Sequence, residues 1–139
     1  MKIFNNILKI YVTNGTENLA DTNCIVDYLN NKLPINAYTL IDSTQIELSV
    51  INRIELLAWP SATIEQLNIL QNFIQACTLH SLEEEIIVET INIRKNYRLK
   101  LPDAIIAATA RTKNLTLLTR NVVDFSKILD LAIINPYSL

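Results

Sequence analysis

The sequence predicts an α/β fold: a short-stranded, mainly parallel sheet with helices on both faces. Three observations predict it. Apolar runs of four or five residues, such as Leu115 to Leu118 and Leu131 to Ile134, alternate with stretches whose apolar residues recur at helical spacing. Strands that alternate with helices pair in parallel, because a helix makes each return crossing. One helix, opened by Pro102, is apolar almost all round through Ala104, Ile105, Ile106, Ala107, Ala108 and Ala110, so it is expected to lie buried against the sheet.

In chain order, residues 1-18 read as an N-terminal extension, with mixed helix and strand signals and a turn at Asn14-Gly15, and residues 19-139 as one domain. Leu19-Ala20 begins a strand that runs into Asp21-Thr22-Asn23 and a short amphipathic helix through Ile25, Val26, Tyr28 and Leu29. Thr39 to Asp42 and Gln45 to Ser49 are expected to form a strand region. Ser49 then caps a helix that buries Val50, Ile51, Ile54, Leu57 and Ala58 and stops near Trp59-Pro60. Ser61 is expected to cap the next helix, with Ile64, Leu67, Leu70, Phe73 and Ile74 as its buried stripe. Ala76 to Leu79 reads as a strand, and Leu82 to Tyr97 as a helix whose acidic start and basic end suit its dipole. The apolar helix, the strand Leu115 to Leu118 and a last strand before Asn135-Pro136 follow.

Composition narrows the chemistry. With 139 residues, half of them hydrophobic, the chain is long enough for a real core. Its single glycine, Gly15, cannot build a dinucleotide fingerprint or a P-loop. No apolar run approaches the ~18 to 20 residues that span a membrane, and no signal peptide is legible, so a cytoplasmic protein without membrane association is expected. Cys24 and Cys77 read as reduced core thiols and His80 as a strand or turn residue, so zinc sites and histidine-based triads are poorly supplied. Net charge is -2, yet Arg94 to Lys127 carries Arg94, Lys95, Arg98, Lys100, Arg111, Lys113, Arg120 and Lys127 against Asp103 and Asp124 only. This basic segment suits solvated helix faces and phosphate contacts equally.

Asp21 ends a strand, Glu55 lies within a helix, Asp103 stands in the first turn of the apolar helix, and Asn121 with Asp124 follows a strand. Each has an ordinary use, as a helix cap for Asp21-Thr22-Asn23 or a solvated side chain for Glu55. If the sheet is parallel, however, the strand-end members converge on one edge, where ligands of such sheets bind. Carboxylates packed together repel, so such a cluster calls for a cation, and oxygen-only ligands select Mg²⁺ or Mn²⁺. That chemistry belongs to metal-dependent phosphoryl hydrolases.

Asp21-Thr22-Asn23, Ser49 to Leu56, Leu101 to Ala110, Leu118 to Phe125 and Asn135-Pro136, in this order and spacing, resemble the PIN-domain family, in particular VapC-type toxins of bacterial toxin–antitoxin pairs. The resemblance covers about Leu19 to Tyr137. It implies an α/β/α sandwich and an Mg²⁺- or Mn²⁺-dependent endoribonuclease. Asp21, Glu55 and Asp103 match the acidic metal-site positions. At the fourth position, Asp or Asn in relatives, stands Asn121, with Asp124 one turn on to supply charge or to cap. Thr22, Asn23 and Thr119 match polar positions that orient carboxylates and waters. Arg53, Arg98, Lys100 and Arg120 are the candidate contacts to RNA phosphates. The chain departs from the pattern at Asn52, where Thr is common, at Trp59-Pro60, where an aromatic-Gly pair is frequent, and in its N-terminal extension.

The resemblance further implies a homodimer, a structured RNA substrate such as a tRNA, and a cognate antitoxin. The antitoxin would lay apolar residues along the helices around Ile64 to Ile74 and a basic side chain into the acidic site. Two other readings stand beside it: a PIN module that binds RNA or a partner without cleavage, favoured by the neutral Asn121, and a PIN nuclease of RNA processing.

Overall fold

The computed structural model describes residues 17–139; the reading of residues 1-18 as an extension falls almost wholly outside the described residues. Five strands form one sheet: β1 (Asn18–Ala20), β2 (Ile46–Ser49), β3 (Thr78–His80), β4 (Thr116–Leu118) and β5 (Ile133–Ile134). Their order is β3-β2-β1-β4-β5 and every pairing is parallel. The helices are α1 (Thr22–Leu29), α2 (Ile35–Ser43), α3 (Val50–Leu57), α4 (Ile64–Ala76), α5 (Glu84–Asn96), α6 (Leu101–Thr112) and α7 (Val122–Phe125), with a 3-10 turn at Pro136–Ser138. This is the predicted α/β class.

The two-residue period of the strands divides the core into two layers. Ala20, Ile46, Leu48 and Leu118 face one cluster with Ile25, Tyr28, Ile41, Leu56 and Phe73 from α1 to α4. Leu19 and Leu117 face the other, with Ile86, Ile93 and Phe125 and the alanine-rich wall of α6. Ala104, Ala107, Ala108 and Ala110 of α6 are wholly buried, which explains their small size. No helix among the described residues is long and apolar enough to cross a membrane.

Several local expectations are corrected. Thr39 to Asp42 is not a strand but the second half of α2. Ala37 and Ile41, one turn apart, are buried on one face of that helix, and Asp42 accepts a hydrogen bond from the Tyr28 hydroxyl at 2.7 Å. Helix α4 is capped by Thr63 and not by Ser61: Thr63 Oγ1 accepts from the Gln66 amide while Gln66 Oε1 accepts from the Thr63 amide, a reciprocal box. Ile64 is consequently outside the buried stripe, as is Ile54 on α3; both are exposed.

Helices α1 and α6 end without glycine. Asn31 and Asn114 take φ of 58° and 56°, the left-handed region, where asparagine is the usual substitute. In each case the next amide reaches back to close the last turn: Lys32 N donates to Asp27 O at 2.8 Å and Leu115 N to Ala110 O at 2.8 Å.

Candidate active site

The chain enters the sheet at its centre with β1, builds outward through β2 and β3, and later returns to the other side of β1 with β4 and β5. The strand order therefore switches direction beside β1, and the carboxyl ends of β1, β2 and β4 open there together. Ala20 pairs with Leu118, so Asp21 and Thr119 leave the sheet side by side.

Asp21 caps α1: its Oδ1 accepts from the Thr22 amide at 2.9 Å, and its Oδ2 accepts from Thr119 Oγ1 at 3.0 Å. The cap reading of this residue holds, and its second oxygen is left to Thr119. Thr119 is wholly buried, and its hydroxyl also accepts from the Asn121 amide at 3.0 Å. Glu55, on the exposed side of α3, accepts from Thr22 Oγ1 at 2.7 Å. Asp103 is half-buried in the first turn of α6. Its carboxyl is raised above the usual range first by burial, then by the charges of Asp21, Glu55 and Asp124, with Lys100 opposing. Four carboxylates from α1, α3, α6 and α7 therefore share one electrostatic neighbourhood.

Asn121 and Asp124 meet directly, Asn121 Nδ2 donating to Asp124 Oδ2 at 3.0 Å. Among the described residues, no three His, Cys, Asp or Glu side chains stand as a ready-made metal-holding group. Threonine and amide donors hold individual oxygens instead. The donor set nevertheless suits a hard divalent cation: it is all oxygen, it is dominated by negative charge, and it raises one of its own members toward neutrality.

The sequence reading missed the part played by Asn52. It is wholly buried, its Oδ1 accepts from the Ser49 amide at 2.7 Å, and its Nδ2 donates to Thr22 Oγ1 at 3.1 Å. Asn52 thereby aims the hydroxyl of Thr22 at Glu55. The spacing Ser49-x-x-Asn52 is a capping-box signal that could have revealed half of this arrangement.

The basic candidates diverge. Lys100 precedes α6 and acts on Asp103. Arg120 stacks on the Tyr137 ring at 3.8 Å and reaches Asp27 Oδ2 at 3.5 Å, while the Tyr137 hydroxyl also donates to Asp27. Arg53 opens on a different hollow, with Leu57, Gln71, Ile74 and Cys77, because residues two apart on a helix point to different sides. Arg98 is exposed in the loop between α5 and α6. Asn23 is exposed beside Thr22. The nearby Cys24 thiol is buried and pushed up to about 12 by burial and by Asp21, which makes it a poor nucleophile at neutral pH.

Comparison with known proteins places this geometry in context. The family model described as PIN domain matches residues 19–129. Comparison with curated proteins gave no match. Among solved structures, a toxin-antitoxin complex from Klebsiella pneumoniae is 28% identical with a TM-score of 0.72, over 86% of this chain and 98% of that one. FitAcB from Neisseria gonorrhoeae is 26% identical with a TM-score of 0.70, over 87% and 99%. VapBC2 from Rickettsia felis, bound to a DNA fragment from its promoter, is 21% identical with a TM-score of 0.73, over 86% and 98%, a likeness of fold.

Proposed function

The chain belongs to the PIN-domain family, whose members are generally nucleases, and from that premise we propose that it is an Mg²⁺- or Mn²⁺-dependent endoribonuclease, the toxin of a VapBC-type pair. The observation that carries the reading is that Asp21, Glu55 and Asp124 all act on the half-buried Asp103, with Asp21 leaving the sheet where the strand order switches. These residues would hold the ion, which supplies an activated water and offsets charge building on the phosphodiester.

The protein's own contribution is to fix the acids before substrate arrives. Thr119 holds one oxygen of Asp21, and Asn52 acting through Thr22 holds one of Glu55. Asn121 keeps Asp124 turned toward the cluster and lines the site as a neutral donor. Lys100, which acts on Asp103, and Arg120, held by Tyr137 and Asp27, would serve as phosphate contacts. The toxin–antitoxin complexes among the similar structures support a cognate antitoxin as partner, with the exposed Ile64 at the start of α4 available to it. A homodimer acting on structured RNA in the cytoplasm, with residues 1-18 as an appendage to the nuclease domain 19-139, completes the reading. The neutrality of Asn121 favours a second reading, a PIN module that binds without cutting.

Purified protein offered a panel of structured RNAs, tRNAs included, decides between them. Cutting with Mg²⁺ or Mn²⁺, stopped by EDTA and by Asp103→Asn, is the expected result. If no RNA is cut and Mn²⁺ leaves thermal unfolding unchanged, the nuclease assignment fails.

A further inference from the structure

Beside the carboxylates, between α1 and the end of α3, lies a cavity of about 370 Å³ lined by Thr22, Asn23, Glu55, Trp59, Pro60 and Leu70 among others. Its lining mixes two chemistries: Glu55 and Thr22 of the acidic cluster with the exposed Asn23, and the aromatic Trp59 with the apolar Pro60 and Leu70. Trp59 is 39% exposed and is the chain's one tryptophan. It stands where it does because α3 ends at Leu57 and Pro60 forbids its continuation. Trp59 also lines a smaller hollow with Leu29 and Gln66.

Resting on the nuclease reading above, we propose that this cavity receives an unpaired nucleobase, that of a nucleotide adjoining the phosphate handled by the carboxylates. The base stacks on Trp59 and presents its edge to the Asn23 amide. Glu55 belongs to both the acidic cluster and the cavity, so an occupant of the cavity lies next to the group at the acids. An aromatic wall with a single amide at its mouth suits a flat, polar-edged ring system, which stacks well whichever base it is. A base inside a duplex cannot reach such a cavity, so the strand cut is single-stranded there, as in a loop or an end.

The lone tryptophan provides the readout. Short single-stranded RNAs are titrated into wild-type protein in EDTA and into the Asp103→Asn protein in Mg²⁺, with Trp59 emission recorded. A parallel series carries one abasic nucleotide at each position in turn. The intact strand is expected to quench the emission. Removal of the base at one position should abolish the quenching and weaken binding about tenfold, a typical stacking contribution. A duplex of the same sequence should not quench. In the Mn²⁺-dependent cleavage assay, Trp59→Phe should retain most of the activity and Trp59→Leu lose about tenfold through KM. RNA that is cut while no abasic position matters and Trp59→Leu cuts like wild type overturns the base pocket alone and leaves the cavity to another occupant, such as an apolar side chain of a protein partner. Absence of both cleavage and RNA binding instead removes the nuclease reading, and the pocket with it.

Discussion

One acid lies within the sheet and a group of acids lies at its carboxyl edge, and the chain treats them in opposite ways. Glu47, in β2, is buried, and its carboxylate meets His80 Nε2 of the neighbouring strand at 2.5 Å. Burial and a hydrogen bond with Glu17 raise its carboxyl, and His80 works against that rise. Asp103 is less buried, yet three further carboxylates act on it, with Lys100 opposing them. The first acid has its partner built in by the register of β2 and β3, in which Ser49 pairs with His80. The second is left in a field that a bound cation would relieve. An acid with a resident partner reads as structure, and a group of acids held apart by hydroxyls and amides reads as a place for a ligand.

The largest effect is expected at Asp103. Asp103→Asn should lower RNA cleavage by about a thousandfold, consistent with the several kcal/mol that a catalytic metal supplies. The same substitution should raise the unfolding temperature at pH 7 in EDTA. Because the folded carboxyl is raised, ionised Asp103 destabilises the fold, and protonation restores stability as pH falls. The advantage of the Asn variant should therefore fade toward pH 4, and thermal melts across that range in EDTA check it. If wild type is the more stable at pH 7 without metal, the contrast with Glu47 collapses.

Next comes the paired acid. His80→Ala should cost about 3 kcal/mol in urea unfolding, because it leaves Glu47 buried without its partner ring. Cleavage per folded molecule should be unchanged.

Asn52→Ala tests whether the acidic site depends on its supports. It should weaken Mn²⁺-dependent stabilisation and cleavage by about 10- to 100-fold, as expected for loss of a side chain that orients a ligand. The smallest effect is expected from Arg120→Lys, which keeps the charge and loses the planar stack on Tyr137. RNA affinity should fall about threefold with an unchanged salt dependence, whereas Arg120→Ala should also reduce the salt slope by about one.

Much of this was legible in the sequence because it depends on local pattern. The strand at Leu115 to Leu118, the buried alanine-rich α6 and the placement of Asp21 at a strand end all follow from runs and spacings. The stretch from Thr39 to Asp42 misled because its short apolar pair between polar residues has no period of its own, while Ala37, one turn from Ile41, carries the helical signal. What stayed hidden depends on partners distant in sequence. Glu47 and His80 meet through strand register, and Asn52 acts on Glu55 only by way of Thr22, 30 residues earlier. The separation of Arg53 from the acids could have been read from helix geometry alone.

The hydrogen bond from Thr119 to Asp21 joins residues 98 apart, and β4 must dock beside β1 before it can form. Long-range parallel pairings of this kind form late, and a chain leaving the ribosome folds from its amino end first. For most of its synthesis the polypeptide therefore holds Asp21 and Glu55 without Asp103 or Thr119. On the proposed reading such a chain lacks the assembled acidic site, which forms only once β4 has docked beside β1.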